Sequence, residues 1–165
     1  MALLWQWPAL TGVLVLTATI ACDKPAAPPT RAVPSDHVAP SPVGTSQTVL
    51  AKTFNLRLSA TFPFEIPAHA AQPHLHGIFQ SFAGQTRGVS DETANVDFLI
   101  VNEEQQAQLA NNRPSEALLS VEDSHTQAVN LDLPPSMNQP VKYFLVFRNS
   151  DKSPKVVEAN FRIDF

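Results

Sequence analysis

The sequence predicts an all-β protein, namely a single antiparallel β-sandwich of about seven strands with one short surface helix, preceded by a signal peptide and a proline-rich linker. Three observations predict this fold class. Apolar residues recur at every second position in short segments after residue 47, which is the period of a half-buried strand. Clusters of turn-forming residues separate these segments, and only one segment has the pattern of a helix. A chain of 165 residues allows one domain with appendages, so we assign 1–21 to the signal peptide, 22–46 to a tether and 47–165 to the sandwich.

Residues 1–21 form an apolar segment that carries no charged residue and ends in small residues. A membrane-spanning helix needs about 20 consecutive apolar residues, and Pro8 interrupts this short run. The segment therefore has the pattern of a signal peptide followed by a cleavage site.

The single cysteine, Cys22, stands where the apolar run ends. One cysteine excludes an internal disulfide and a multi-cysteine metal site. The sequence Thr-Ile-Ala-Cys at 19–22 resembles the lipobox of bacterial lipoproteins. The resemblance implies that Cys22 is lipidated, becomes the new N-terminus, and anchors an exported protein to a membrane of the bacterial cell envelope, facing the periplasm or the exterior. The alternative is an ordinary secretory signal that is cut after Ala21 and leaves Cys22 as a free thiol.

The tether that follows Cys22 is rich in proline and alanine and has no hydrophobic periodicity. Such a segment buries too little apolar surface to offset its ordering entropy, so we expect it to be disordered and extended. We expect its one histidine, His37, to be solvated. The six prolines between residues 23 and 46 are Pro25, Pro28, Pro29, Pro34, Pro40 and Pro42.

The first strand region of the sandwich is 54–66, where apolar residues occupy the even positions. It predicts one long strand, or two strands broken at Pro63, whose outward position suits an edge. Residues 74–82 and 95–101 predict two further strands. Gly77 lies inside the first of these and indicates a bulge or the close approach of another strand.

Residues 102–111 are the one predicted helix. Asn102 can accept a hydrogen bond at the N-cap, and Gln105 stands at the reciprocal position of a capping box. Short strands are predicted at 117–121 and 128–133.

The C-terminal residues 140–165 predict a β-hairpin, with two strands joined by a turn at 149–154. Both faces of 141–147 are apolar, which is typical of a central strand covered on both sides. Residues 156–165 alternate, so that one face is buried and the other is solvated. The buried set is Val157, Ala159, Phe161, Ile163 and Phe165.

The residues Tyr-Phe-Leu-Val-Phe-Arg-Asn-Ser at 143–150, with Lys-Val-Val at 155–157 and Phe161, resemble the C-terminal hairpin of GOLD-type β-sandwich domains. Val146 stands near the position of the strand cysteine found in the eukaryotic cargo-receptor members. The resemblance implies a non-catalytic interaction domain.

A metal site is predicted at His74 and His76, because residues two apart on a strand face the same side and both imidazoles can reach one ion. His69, in the preceding loop, could supply a third ligand, and His125 could approach from elsewhere. Imidazoles with a carboxylate suit Zn²⁺ or Cu²⁺. The alternative is two ordinary strand histidines, hydrogen-bonded or half exposed. Since Leu75 and Phe79 have the pattern of core residues, we expect His74 and His76 to face solvent.

No catalytic set is recognisable, so we expect a protein that is not an enzyme and needs no cofactor. Ser124 and His125 are adjacent in sequence, whereas the members of a triad meet from separate segments. A net charge of -4 without a basic cluster argues against nucleic acid. The predicted function is a lipid-anchored envelope protein whose sandwich binds a protein or a glycan. The alternatives are a periplasmic metal-binding protein that uses His-x-His and a purely structural spacer.

Overall fold

The computed structural model describes residues 43–84, 86–111, 113 and 115–165. The predicted signal peptide, the lipidation site Cys22, His37 and nearly all of the tether lie outside the described residues. The described chain forms eight strands and one α-helix. The strands are β1 Ser46–Leu56, β2 Ser59–Ile66, β3 His74–Ala83, β4 Val96–Asn102, β5 Leu119–Ser124, β6 Thr126–Asp132, β7 Val141–Arg148 and β8 Lys155–Asp164; the helix α1 is Glu103–Ala110, and a 3₁₀ turn covers Glu92–Ala94.

The eight strands form two four-stranded sheets, which confirms the predicted β-sandwich. Sheet 1 has the order β1-β8-β3-β6, and sheet 2 has the order β2-β7-β4-β5. Every neighbouring pair is antiparallel. Within the described residues, no helix is long and apolar enough to cross a membrane.

The break between the first two strands falls at Arg57 and Leu58, so the expected break at Pro63 was wrong. Pro63 lies inside β2, which is an edge strand of sheet 2. An edge strand tolerates proline because one side of its backbone needs no ladder partner. The side chain of Leu58 is 76% exposed at this turn, although its even position suggested burial.

The predicted C-terminal hairpin was also wrong, because β7 and β8 belong to different sheets. β7 pairs with β2 and β4, whereas β8 pairs with β1 and β3. The chain crosses between the sheets at 149–154 instead of folding back beside β7. Asn149 holds this crossing, since its buried side-chain amide donates to the carbonyls of Arg57 at 3.0 Å and Ser153 at 2.9 Å. Because each strand has a partner on both sides, β7 and β8 are both central strands, which matches the two apolar faces of β7.

The core between the sheets is built around aromatic rings from strands of both sheets. The ring of Phe98 lies 5.3 Å from that of Phe79, 4.9 Å from that of Phe147 and 5.3 Å from that of Phe161, measured between centroids. All four side chains are fully buried. Rings at such separations stabilise a core beyond the area they bury.

Helix α1 lies on the outer face of sheet 2 and explains the second apolar face of β7. Val146 packs there with Leu99 and Val101, and Leu109 of the helix covers them. The predicted capping box is confirmed: Gln105 N donates to Asn102 Oδ1 at 2.8 Å, and Asn102 N donates to Gln105 Oε1 at 2.8 Å. In the part of the chain that the structure describes, no helix covers the outer face of sheet 1.

Candidate binding face

The outer face of sheet 1 is an open, mostly polar surface, which we call the sheet 1 face. Alternation along each strand and the pairing between strands place outward residues in four rows. Across β1, β8, β3 and β6 the rows are Ser46, Asp164, His74 and Asp132; Thr48, Arg162, His76 and Asn130; Ala51, Asn160, Ile78 and Ala128; and Thr53, Glu158, Gln80 and Thr126. Every position carries a hydrogen-bonding side chain except three in the third row, which are Ala51, Ile78 and Ala128. Of these, Ile78 is 52% exposed.

His74 pairs with Asp132 on the neighbouring strand β6. Its Nδ1 lies 2.7 Å from Oδ1 of Asp132, and its side chain is 37% exposed. The hydrogen bond to Asp132 raises the pKa of His74 above its ordinary value of 6.5, against a smaller opposing effect of desolvation.

His76 makes a similar pair with a carboxylate on the other side of β3. Its Nε2 lies 3.2 Å from Oδ2 of Asp164. The pKa of Asp164 lies below its ordinary value. The main cause is a hydrogen bond from the Ser46 hydroxyl, and the nearby His76 adds a smaller effect. Arg162 donates to Oγ of Ser46 at 3.3 Å, so these side chains form one network on the face.

Of the three predicted metal ligands, the structure brings His74 and His76 together. Their imidazoles are half exposed, as expected, with ring centroids 6.0 Å apart and ring planes within 23°. His69 lies in the β2–β3 loop with a positive φ of 63°. Its backbone N–H donates to the carbonyl of Met137 at 2.8 Å. Within the described residues, no group of three or more His, Cys, Asp or Glu side chains is arranged to hold a metal ion.

The carboxylates Asp132 and Asp164 are site residues that sequence reasoning missed. Period-2 alternation alone places both on the solvated side of their strands. Their approach to the histidines depends on the register of β6 and β8 on either side of β3. That register is non-local, so no local sequence signal could have found it.

At its opposite end, the sheet 1 face is bordered by the loop that follows β3. Arg87 in this loop forms an ion pair with Glu158. Its guanidinium carbon lies 5.7 Å from the ring centroid of Phe82, which is a cation–π distance. The loop therefore closes the last row of the face, and the first three rows stay open.

The sequence neighbours Ser124 and His125 do not form a catalytic pair. The Ser124 hydroxyl donates to the carbonyl of Thr126 at 2.9 Å. Nδ1 of His125 lies 3.1 Å from Oδ1 of Asn95. The serine is therefore not activated by the adjacent imidazole.

Comparison with known proteins finds similar chains among solved structures only. No family model and no curated protein matches the chain. One matching solved structure is that of TmCBM61 in complex with β-1,4-galactotriose, with 10% identity, a TM-score of 0.41 and 68% coverage of each chain. At this level of likeness, the ligand of that structure is not transferred to this chain.

Proposed function

We propose that this chain is an exported, lipid-anchored protein of the bacterial cell envelope, whose non-catalytic β-sandwich binds a glycan on the sheet 1 face. The observation that carries the proposal is the open array of hydrogen-bonding side chains on that face. The outer face of sheet 2, by contrast, is partly covered by α1.

A glycan fits this face better than a protein partner. The core of a protein interface is depleted of charged residues and enriched in aromatic ones, whereas the middle of this face carries Asn160, Arg162 and His76. A sugar ring presents hydroxyl groups at its edge and C–H groups on its flat side. The hydroxyls can bond to the polar rows while the C–H side lies on Ile78.

The open face and its Asp164 do not favour glycoside hydrolysis. A glycosidase needs a general acid with a raised pKa, and a second carboxylate across a cleft. The pKa of Asp164 is lowered by its hydrogen bond with Ser46, and the face is open. A binding function without catalysis is the simpler use of this arrangement.

The anchor is proposed from residues 1–46, of which only 43–46 are described. The chain enters the domain beside its own C-terminus, since Gly44 N donates to the carbonyl of Phe165 and Phe165 N donates to that of Thr45.

The glycan proposal is tested with the full-length chain, purified in detergent and applied to an array of bacterial and plant polysaccharides. An Asn160→Ala/Arg162→Ala double variant removes two hydrogen-bonding groups and should weaken retention at least ~10-fold. Glu65→Ala, which alters the exposed edge strand of sheet 2, should retain binding. Retention of no glycan, with a specific protein cross-linked at Ile78, would replace the glycan by a protein partner.

The anchor is tested separately with labelled palmitate. The wild-type chain should incorporate the label and sediment with membranes, and Cys22→Ser should do neither. A soluble, unlabelled wild-type chain with a free thiol would remove the anchor and would leave the glycan proposal untouched.

A second candidate function, metal binding, is favoured by the parallel imidazoles of His74 and His76. The bond from His74 to Asp132 orients the ring in the way that carboxylates orient metal-bound histidines. Titration with Zn²⁺ and Cu²⁺ should show weaker binding in a His74→Ala/His76→Ala variant, with His69→Ala testing the third ligand. Equal affinities in wild type and the double variant would exclude this function.

A further inference from the structure

A cleft of about 420 Å³ lies between α1 and the outer face of sheet 2, which is the opposite side of the sandwich from the sheet 1 face. Its volume falls at the lower end of the range for small-ligand pockets, roughly 300–1,000 Å³. We call it the α1 cleft. The residues that matter for its chemistry are Leu58, Asp97, Gln106, Leu109, Val146 and Arg148.

The apolar part of the α1 cleft comes from three separate elements. Val146 of β7 lies on the sheet with only 5% exposure, and Leu109 of α1 covers it. Leu58, in the turn between β1 and β2, is 76% exposed beside the cleft. An exposed leucine at the mouth of a cleft gives a ligand an apolar surface to cover.

The polar part of the α1 cleft contains groups whose hydrogen-bonding capacity is only partly used within the described chain. Asp97 and Arg148 stand opposite each other on β4 and β7, yet Arg148 makes no ion pair among the described residues. Asp97 accepts only a long 3.2 Å hydrogen bond, from Asp123 N. Oε1 of Gln106 is buried and has no hydrogen-bond partner, which is an uncommon state that requires an explanation.

These three groups require different hydrogen-bonding partners. A carboxylate accepts, a guanidinium donates, and Oε1 of Gln106 accepts. An anionic ligand would suit Arg148 but would meet the charge of Asp97, and a purely apolar ligand would leave all three groups unpaired. Neighbouring hydroxyls on a sugar ring satisfy the set, because each hydroxyl can both donate and accept.

We propose that the α1 cleft is a binding site for a neutral pyranose unit. Its ring hydroxyls bond to Asp97, to Arg148 and, once the side-chain amide turns toward the ligand, to Gln106 Oε1, and its C–H face packs on Leu58 and Leu109. The site is independent of the sheet 1 face, since the two lie on opposite sheets and share no residue. A chain with both sites could hold two segments of one polysaccharide.

The test is an NMR titration of the isotope-labelled full-length chain in detergent micelles, with glucose, galactose, mannose, N-acetylglucosamine and galacturonic acid as separate probes. A neutral sugar should shift the signals of Asp97, Gln106 and Arg148. Gln106→Ala and Leu58→Ser should each weaken that binding at least ~5-fold. Neither change should unfold the domain, because alanine is a better helix former than glutamine and Leu58 is exposed.

Glu104→Ala is the matched control on α1, since Glu104 is exposed and does not line the cleft. The same titration with Asn160→Ala/Arg162→Ala separates the two sites: persisting shifts at the cleft support this inference even if the sheet 1 face binds nothing. Absence of shifts with every probe up to high millimolar concentration would overturn it. Binding of galacturonic acid alone would also overturn it, because the site would then be an anion site centred on Arg148.

Discussion

Phe161 lies directly against the backbone of Gly77 on the neighbouring strand. A Cβ added at Gly77 would stand 2.6 Å from Cδ1 and 2.8 Å from Cα of Phe161, and 2.3 Å from the carbonyl oxygen of Asn160. Real Cβ atoms do not approach neighbours this closely, and two of the three atoms belong to the backbone. The glycine that the sequence marked as a point of close approach is therefore what allows β8 to pair with β3.

Replacing Gly77 by alanine should lower the free energy of unfolding by about 1–3 kcal/mol, because the backbone of β8 must move away from β3. Urea denaturation of the purified protein measures the change. Gln80→Ala, on the solvated side of the same strand, should stay within about 0.5 kcal/mol of wild type. Equal stability of Gly77→Ala and Gln80→Ala would mean that the two strands can separate at no cost.

The features that the sequence predicted well are local ones. Alternation places Val157, Ala159 and Phe161 in the core, and the spacing of Asn102 and Gln105 is sufficient to identify the capping box. The features that were wrong or missed depend on which strands pair. β7 and β8 are consecutive in sequence but lie in different sheets, so a turn signal at 149–154 could not distinguish a hairpin from a crossing.

In the candidate sites, too, the local features were predictable and the features that depend on strand pairing were not. The outward direction of His74 and His76 follows from the period of β3, whereas their carboxylate partners come from strands about 58 and 88 residues further along the chain. The α1 cleft combines a turn, three strands and a helix, which no periodicity brings together. The resemblance of residues 143–161 to GOLD-type domains and the lipidation of Cys22 stay predictions.

Lys155 is a buried cation that the sequence placed at the end of a turn. It is 1% exposed, and its Nζ donates to the carbonyl of Asn95 and to Oδ2 of Asp151, the latter at 2.7 Å. Lys155→Met keeps the aliphatic stem but loses both hydrogen bonds, so it should cost about 1–3 kcal/mol in the free energy of unfolding. The exposed neighbour gives a control, since Lys152→Met should be close to neutral. Chemical denaturation of both variants measures the difference, and a Lys155→Met protein as stable as Lys152→Met would contradict the structural role.

The capping box should contribute measurably to the stability of α1. Asn102→Ala should cost about 1 kcal/mol, because it removes the acceptor for Gln105 N at the first turn. The double variant Asn102→Ala/Gln105→Ala should cost less than the sum of the single changes, since the two bonds are reciprocal. Thermal unfolding followed by circular dichroism measures each effect, with Gln108→Ala as the control on the same helix. Strict additivity would show that the two bonds act independently.

The pair of His74 and Asp132 should make stability depend weakly on pH. The pKa of His74 is raised in the folded state by its hydrogen bond to Asp132, so the pairing contributes fully below the unfolded value of about 6.5 and is lost as pH rises through the folded value. Because His74 is 37% exposed and Asp132 is 92% exposed, the effect should stay under ~1 kcal/mol. Asp132→Asn should therefore destabilise the protein more at about pH 5.5 than at about pH 8, a difference that calorimetry at both values can measure.

NMR titration should place the pKa of His74 above 6.5 in wild type and lower it in Asp132→Asn, with Asp164 as the remaining nearby carboxylate. A His74 that titrates at the same pH in both proteins would show that the pair does not hold its charge in solution.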